Sequence, residues 1–433
     1  MDLIVRRANL PDGRKGIDIG IKGGRIAAVE PALKAEAARE IDATGCLVSP
    51  PFVDAHFHMD ATLSVGYPKH NGSGTLLEGI RMWAEMKPHM TYDWYLERAL
   101  EYCDWAVGRG LLAIRSHVDT TDAELVALEA LLEVRRRVKD YIHLQLVAFP
   151  QLGYLRSAIG VSNLDRALDK GVEVVGGIPH FERTREEGDE AVRRACEVAA
   201  KRGLRVDLHC DETDDPASRH IETLAAETVR LGLQGRVSGS HLSSMHSMDN
   251  YYLSKLIPLI AESGIHAIAN PTANILLMGR HDKYPKRRGM MPVPEMIAAG
   301  INLSFGEDSA MDPWGPLNGG DMLDAAYMGA HVAHMAGHDQ LPHCFAAVTE
   351  NPARALGLEG YGLNVGCNGD LVVMQAESVS EAIRLRPPRL FVVRRGKVIA
   401  EGPRLEAKLT LPGRAASTDF ARKTKPPAAL MPR

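Results

Sequence analysis

No stretch of this sequence is apolar over the roughly 18 residues that a membrane-crossing helix requires, so no membrane partner is expected. The opening MDLIVRRANLPDG has neither an apolar h-region nor a small-residue cleavage site, which reads against a secretory signal. Cysteine is scarce and scattered: Cys46, Cys103, Cys196, Cys210, Cys344 and Cys367 contain no CxxC pair. That spacing argues against a disulfide framework and fits a reduced, cytoplasmic protein. Basic residues never gather beyond Lys286-Arg287-Arg288, and 51 Lys+Arg against 55 Asp+Glu leave a formal charge of −4. Nucleic acid is therefore not an expected partner, and the short basic tract reads as a solvated loop face. No internal repeat of fixed period is visible.

What the sequence does have is a set of eight short apolar runs, each ending in a polar residue able to bind a metal or a substrate. The first closes with His56-Phe57-His58 in PPFVDAHFHMD. Side chains alternate along a strand, so the two histidines share one face about 7 Å apart, a spacing that suits two imidazoles on one ion. LLAIRSHVD ends at His117 and Asp119, HLQLVAFPQ at Gln151, and VEVVGGIPHFE at His180 and Glu182. LRVDLHCDE ends at His209 and Glu212, RVSGSHLSS at His241, IHAIANPTAN at Asn270, and INLSFGED at Glu307 and Asp308. Helical stretches such as TDAELVALEALLEVRRRV and DEAVRRACEVAAKRG separate them. Strand and helix alternating eight times predicts an α/β fold, a parallel (β/α)8 TIM-type barrel, whose functional groups stand at the C-terminal strand ends.

The 433 residues exceed a minimal barrel by well over a hundred. Hydrophobic residues at 45% and charged residues at 24% describe a globular chain with a large core. Short strand-like pieces occupy the first part, with Lys22-Gly23-Gly24 as a hairpin turn, and return near the end as GDLVVMQA, RLFVVRRGKVIAEG and LEAKLTLPG, with a turn at Arg395-Gly396. Neither set buries a core alone. One small β-sandwich built from both chain ends is expected, from residues 1–48 and 359–412, flanking a barrel over 49–358. Residues 413–433, rich in proline and alanine, read as a loosely ordered tail.

A first-strand HxH, histidines ending the fifth and sixth strands and an aspartate ending the eighth resemble the amidohydrolase superfamily. PPFVDAHFHMD, LVAFPQLG, VVGGIPHFERTREEG, VDLHCDET, SHLSSMHS, ANPTANILLMGRHDKYPKRRG and FGEDSAMDPW are similar to segments of its bacterial cytosine deaminase branch, over roughly residues 1–400. The resemblance implies one divalent ion per chain, iron or zinc, held by His56, His58, His209 and Asp308. It implies Glu212 as the acid/base that protonates the ring nitrogen, His241 as a hydrogen-bonding stabiliser, and a second duty for Asp308 as proton acceptor. Gln151 can pair with a ring N–H and its neighbouring carbonyl; Ser309, Trp314 and His117 complete the expected substrate contacts. Two-metal members carry a bridging lysine after the fourth strand; VEVVGGIPHFE has none, and His180 is assigned a structural role.

The implied activity is hydrolytic deamination of a free nucleobase, cytosine or a close analogue such as 5-methylcytosine or isocytosine. The partners expected are a small heterocycle and further copies of the chain as a homo-oligomer. Two positions depart from that branch: Ser309 stands where a second aspartate is expected, and Glu307 where a histidine is. A hydroxyl in place of a carboxylate frees volume near the substrate's far edge, which admits a bulkier ring. Aminotriazines, N-alkylammelide-like rings and cyclic amides are the competing substrates, and a metal-free scaffold of the same fold is the non-enzymatic alternative. The zinc deaminases with a P-C-x-x-C signature are excluded, since the sequence has no such motif.

Overall fold

In the computed structural model, which describes residues 1–424 and residue 427, eight parallel strands form the centre of the molecule. They are β1 (Phe52–Phe57), β2 (Leu111–Asp119), β3 (His143–Phe149), β4 (Val174–Gly177), β5 (Arg205–Cys210), β6 (Val237–His241), β7 (His266–Ala269) and β8 (Leu303–Phe305). Each pairs with its neighbour in chain order, and a parallel bridge between Phe57 and Asp308 brings β8 back to β1. Apolar residues fill these strands because both faces are covered: β1, β2, β4 and β6 are buried along their whole length.

The helices between them begin and end where the sequence supplies caps. Thr184 accepts from the Glu187 amide to open the helix Arg185–Arg202, and Gly203 closes it at φ 69°. Inside the barrel, beneath the strand ends, a fully buried guanidinium replaces apolar filling. Arg115 donates to Asp207 Oδ2 (2.8 Å), Gln145 Oε1 (2.7 Å), Ser238 Oγ (2.9 Å) and the Ala355 carbonyl (2.8 Å). Every nitrogen of that side chain is used, so the buried charge is matched by a carboxylate and three neutral acceptors.

Both chain ends build the flanking sandwich. One sheet runs Arg25–Pro31, Ile17–Lys22, Leu3–Ala8, Arg39–Asp42; the other runs Lys397–Glu401, Arg389–Arg394, Leu371–Met374, Leu47–Ser49. Leu3, Val5, Ile19, Ile21, Val373 and Val393 share one core between them. The stretch LEAKLTLPG forms a separate two-stranded sheet among the described residues, Ala407–Lys408 pairing with Ser417–Thr418. Of the expected tail, residues 425, 426 and 428–433 lie outside the described residues. No helix among the described residues is long and apolar enough to cross a membrane.

Candidate active site

The closure of the barrel brings the first and last strand ends together. Asp308 donates its amide to the His56 carbonyl (2.9 Å), and His58 donates its amide to the Asp308 carbonyl (3.0 Å). Asp308 Oδ1 then lies 3.1 Å from His56 Nε2 and 3.5 Å from His58 Nε2. From β5, His209 sets its Nε2 2.9 Å from His58 Nε2, with the Phe149 ring stacked on it at 4.2 Å. Several residues here adopt the left-handed backbone region, which is strained for side-chain-bearing residues: Asp211 (φ 56°), His241 (φ 70°), Leu242 (φ 50°) and Asp308 (φ 68°). Such strain persists only where the surroundings enforce it, and here it clusters at the strand ends that carry the polar groups.

Two overlapping groups of donor atoms result, each within 4.8 Å: His56, His58, His117 and His209, and His56, His209, His241 and Asp308. Both ring nitrogens of His56, both of His117 and Nδ1 of His209 are buried without a hydrogen-bond partner. Burial holds the His56, His58, His209 and His241 imidazoles well below their usual pKa, and neighbouring rings add to the effect. Neutral imidazoles converging beside a carboxylate, several of their lone pairs unused, are a fitting site for a metal ion.

His117 departs from expectation. It is fully buried behind His56, ring centroids 4.2 Å apart, with Nε2 3.6 Å from Asp207 Oδ1. It belongs to the donor cluster and does not line the cavity above it.

Over the donors opens a cavity of about 250 Å³. His58, His209, Glu212, His241 and Asp308 face it from the strand ends, and Gln151, Ser309 and Trp314 wall it. Glu212 Oε1 is 3.5 Å from His241 Nδ1. Burial pushes the Glu212 carboxyl up to about 8; burial, then repulsion from Glu212, raises that of Asp308. Beside Ser309, the Asp312 carboxylate accepts the Trp314 (2.9 Å) and Gly315 (2.8 Å) amides. His180 also lines the cavity, with Nδ1 3.1 Å from the His209 carbonyl.

A match to the amidohydrolase family model spans residues 39–405, most of the chain. The chain belongs to the amidohydrolase family. A 5-methylcytosine deaminase from Klebsiella pneumoniae, solved with 5-fluorocytosine, superposes with a TM-score of 0.90 at 42% identity, covering 92% of this chain and 98% of that one. An N-isopropylammelide isopropyl amidohydrolase of Pseudomonas sp. (strain ADP) is 32% identical over 92% of this chain and 97% of its own length. A pterin deaminase of Rhizobium rhizogenes is 28% identical over 90% and 89%. This amidohydrolase is accordingly a hydrolase of carbon–nitrogen bonds other than peptide bonds.

Sequence reading missed the roof and one polar contact of the amidohydrolase site. Leu76, Leu77 and Ile80, on the helix Leu76–Met86 that follows β1, face the cavity with Ile178, Phe181 and Leu277. The Asn274 amide donates to His241 Nδ1 (3.0 Å), and Asn270 Nδ2 lies 3.3 Å from the same ring. Asn270 and Asn274 stand four apart in NPTAN, where a proline opens the helix Pro271–Leu277, so their spacing was a usable signal. The other strand-end residues are structural. Glu182 accepts the amides of Tyr154, Leu155 and Arg156 (2.5, 3.1 and 2.8 Å), shaping the loop after Gln151. Asp119 pairs with Lys87 at 2.6 Å. The basic tract lies on a solvated loop as expected: Lys286 and Arg288 are exposed, while Lys286 donates to the Gly279 and Asp282 carbonyls and Arg287 pairs with Asp282 at 2.8 Å within that loop.

Proposed function

We propose that this amidohydrolase deaminates a free aminated pyrimidine, cytosine or its 5-methyl or iso relative, to the oxo base and ammonia. The observation that carries the reading is a buried Glu212 facing His241 and the donor cluster across a cavity sized for a single ring. That cavity falls below the roughly 300–1,000 Å³ of sites for drug-sized ligands. His56, His58, His209 and Asp308 would hold one divalent ion, with His117 and His241 adjacent; when bound it supplies a water activated at neutral pH.

The remaining work falls to side chains. Glu212 delivers a proton to the ring nitrogen next to the amino-bearing carbon, and protons then leave with ammonia. Asp308 accepts the proton that the water loses. His241, fixed by Asn274, donates a hydrogen bond to the oxygen that develops charge at that carbon. Gln151, at the cavity wall, pairs its carbonyl and amide with a ring N–H and the adjacent ring carbonyl. Ser309, a neutral hydroxyl at the cavity wall, puts no charge of its own against the far edge of the ring, which suits a ring carrying a methyl group.

The likeness to the Klebsiella 5-methylcytosine deaminase supports this reading. The apolar roof of Leu76, Leu77 and Ile80, with the likeness to the N-isopropylammelide hydrolase, favours one second reading: removal of an alkylamine from a triazine. The test is release of ammonia or alkylamine by the metal-analysed enzyme from cytosine, 5-methylcytosine, isocytosine and N-isopropylammelide. Turnover of the pyrimidines at kcat/KM well above the triazine is the expected result; the reverse order establishes the second reading.

A further inference from the structure

We propose that Asp211 is the positioning residue that holds Glu212 against His241. The inference rests on the role proposed for Glu212 and assigns a duty to its neighbour, which has no access to the cavity. Asp211 is completely buried and its backbone is left-handed, φ 56°, a conformation unfavourable for a residue with a side chain. Its carboxylate is saturated. Oδ1 accepts from Ser218 Oγ (2.6 Å), the His220 amide (3.1 Å) and His220 Nδ1 (2.8 Å), and Oδ2 accepts from the Ile221 amide (2.9 Å).

These bonds fasten the turn after β5 to the first residues of the helix His220–Arg230, whose opening amides Asp211 caps from nine residues upstream. The main chain of Asp211 makes the second tie. Its carbonyl accepts the Ser244 amide (3.0 Å), while the Cys210 carbonyl accepts that of Leu242 (3.0 Å). Ser244 Oγ closes the circuit by donating to the Ser218 carbonyl (2.8 Å).

Glu212 follows Asp211 directly, and His241 precedes Leu242. One residue therefore locks the segment bearing the acid to the segment bearing its histidine partner. The two side chains are 3.5 Å apart, and neither is fixed to the other by a bond of its own. Without the lock the left-handed turn relaxes, and Glu212 loses its place over the ring nitrogen. Proton delivery depends on sub-ångström placement, so the loss falls on kcat, while the walls that bind the ring stay where they are.

The test compares Asp211→Ala, Asp211→Asn and Ser218→Ala with wild type and with Thr184→Ala, which removes an ordinary helix cap on the preceding helix. Four readouts are taken: metal content, Tm, kcat and KM on the best pyrimidine, and the Glu212–His241 separation in crystal structures. Asp211→Ala is expected to lower kcat by at least about thirtyfold with KM within threefold and metal retained. Ser218→Ala should show a smaller loss of the same kind, Asp211→Asn should recover part of the activity, and Thr184→Ala should lower Tm alone. In the crystals Glu212 should leave its place beside His241.

A lowered Tm with kcat unchanged makes Asp211 only a helix cap and overturns the proposal. Loss of metal overturns it too, because the effect would then run through His209. Should Asp211→Ala fail to fold, Ser218→Ala and Asp211→Asn decide by the same criteria. A wild type inactive on every pyrimidine refutes the proposed function; the crystallographic separation still judges Asp211, and an unmoved Glu212 overturns the proposal by itself.

Discussion

Glu212 Oε1 and His241 Nδ1 stand 3.5 Å apart across the ends of neighbouring barrel strands, where burial pushes the carboxyl up, favouring its protonated form, and the imidazole down, favouring its neutral form. Such a pair can donate and stabilise without first having to lose or gain a proton from solvent. Glu212→Gln keeps the shape and removes the transferable proton. The expected result is a fall in kcat of at least about a hundredfold with metal content unchanged. Near-normal turnover in the metal-replete variant would pass the role to Asp308 or His241.

The two donor groups share His56 and His209, so they describe one centre. Metal analysis should find about one ion per chain, and a strong chelator should abolish activity. His56→Ala should lose both metal and turnover. Two tightly bound ions, both needed for turnover, would contradict a mononuclear site.

Gln151 and Ser309 face the cavity from different strand ends, so their variants should behave differently. Gln151→Ala should weaken every good substrate by several kcal/mol in transition-state binding, since a donor and an acceptor go unpaired in each case. Ser309→Asp should change the order of substrates, towards cytosine and away from 5-methylcytosine. Comparing kcat/KM for cytosine, 5-methylcytosine and isocytosine decides this; an equal scaling of all three removes Ser309 from specificity.

Gly79 lies in the roof helix directly against Trp314. A Cβ built there would sit 2.5 Å from the indole Nε1, closer than any contact between such atoms allows. Alanine normally gains roughly 0.5–1 kcal/mol over glycine within a helix, but forcing apart a packed contact costs about 1–3 kcal/mol. Gly79→Ala should therefore lower Tm and reduce kcat/KM as Trp314 is displaced from the cavity wall. A raised Tm with unchanged kinetics would show that the roof yields freely.

Arg115 and Asp207 form an ion pair with no solvent exposure on either side chain. Removing one partner strands the other charge, and Arg115→Ala should cost about 3–5 kcal/mol of stability, read from urea unfolding. A loss below about 1 kcal/mol would mean that water replaces the guanidinium.

The barrel was legible in the sequence because each strand is a short apolar run closed by a polar residue, and His56, His58, His209 and Asp308 fall at three of those closures. The two-ended sandwich was legible for a similar reason, two incomplete sets of strands that need one another. His117 misled because strand alternation was not carried through β2. Its ring turns inward towards Asp207, and a list of strand-end residues cannot show which side of the donor cluster a histidine occupies. The roof leucines were hidden by their helical spacing, which reads as ordinary core. Asp211 was passed over because its neighbours His209 and Glu212 hold the obvious chemistry, and its partners Ser218 and His220 appear only once the chain folds.

The sandwich imposes an order on synthesis. Val48, next to the first barrel strand, pairs across its sheet with Val373, and the core around Leu3, Ile19 and Ile21 is covered in part by strands made after the whole barrel. A nascent chain leaving the ribosome therefore carries an uncovered apolar face through most of its translation, since no local contact can bury it. Contacts so distant in sequence also slow the final closure. The core around Leu3, Ile19 and Ile21 thus cannot close until residues 371–393 have been made, and an apolar face left open that long is prone to aggregate.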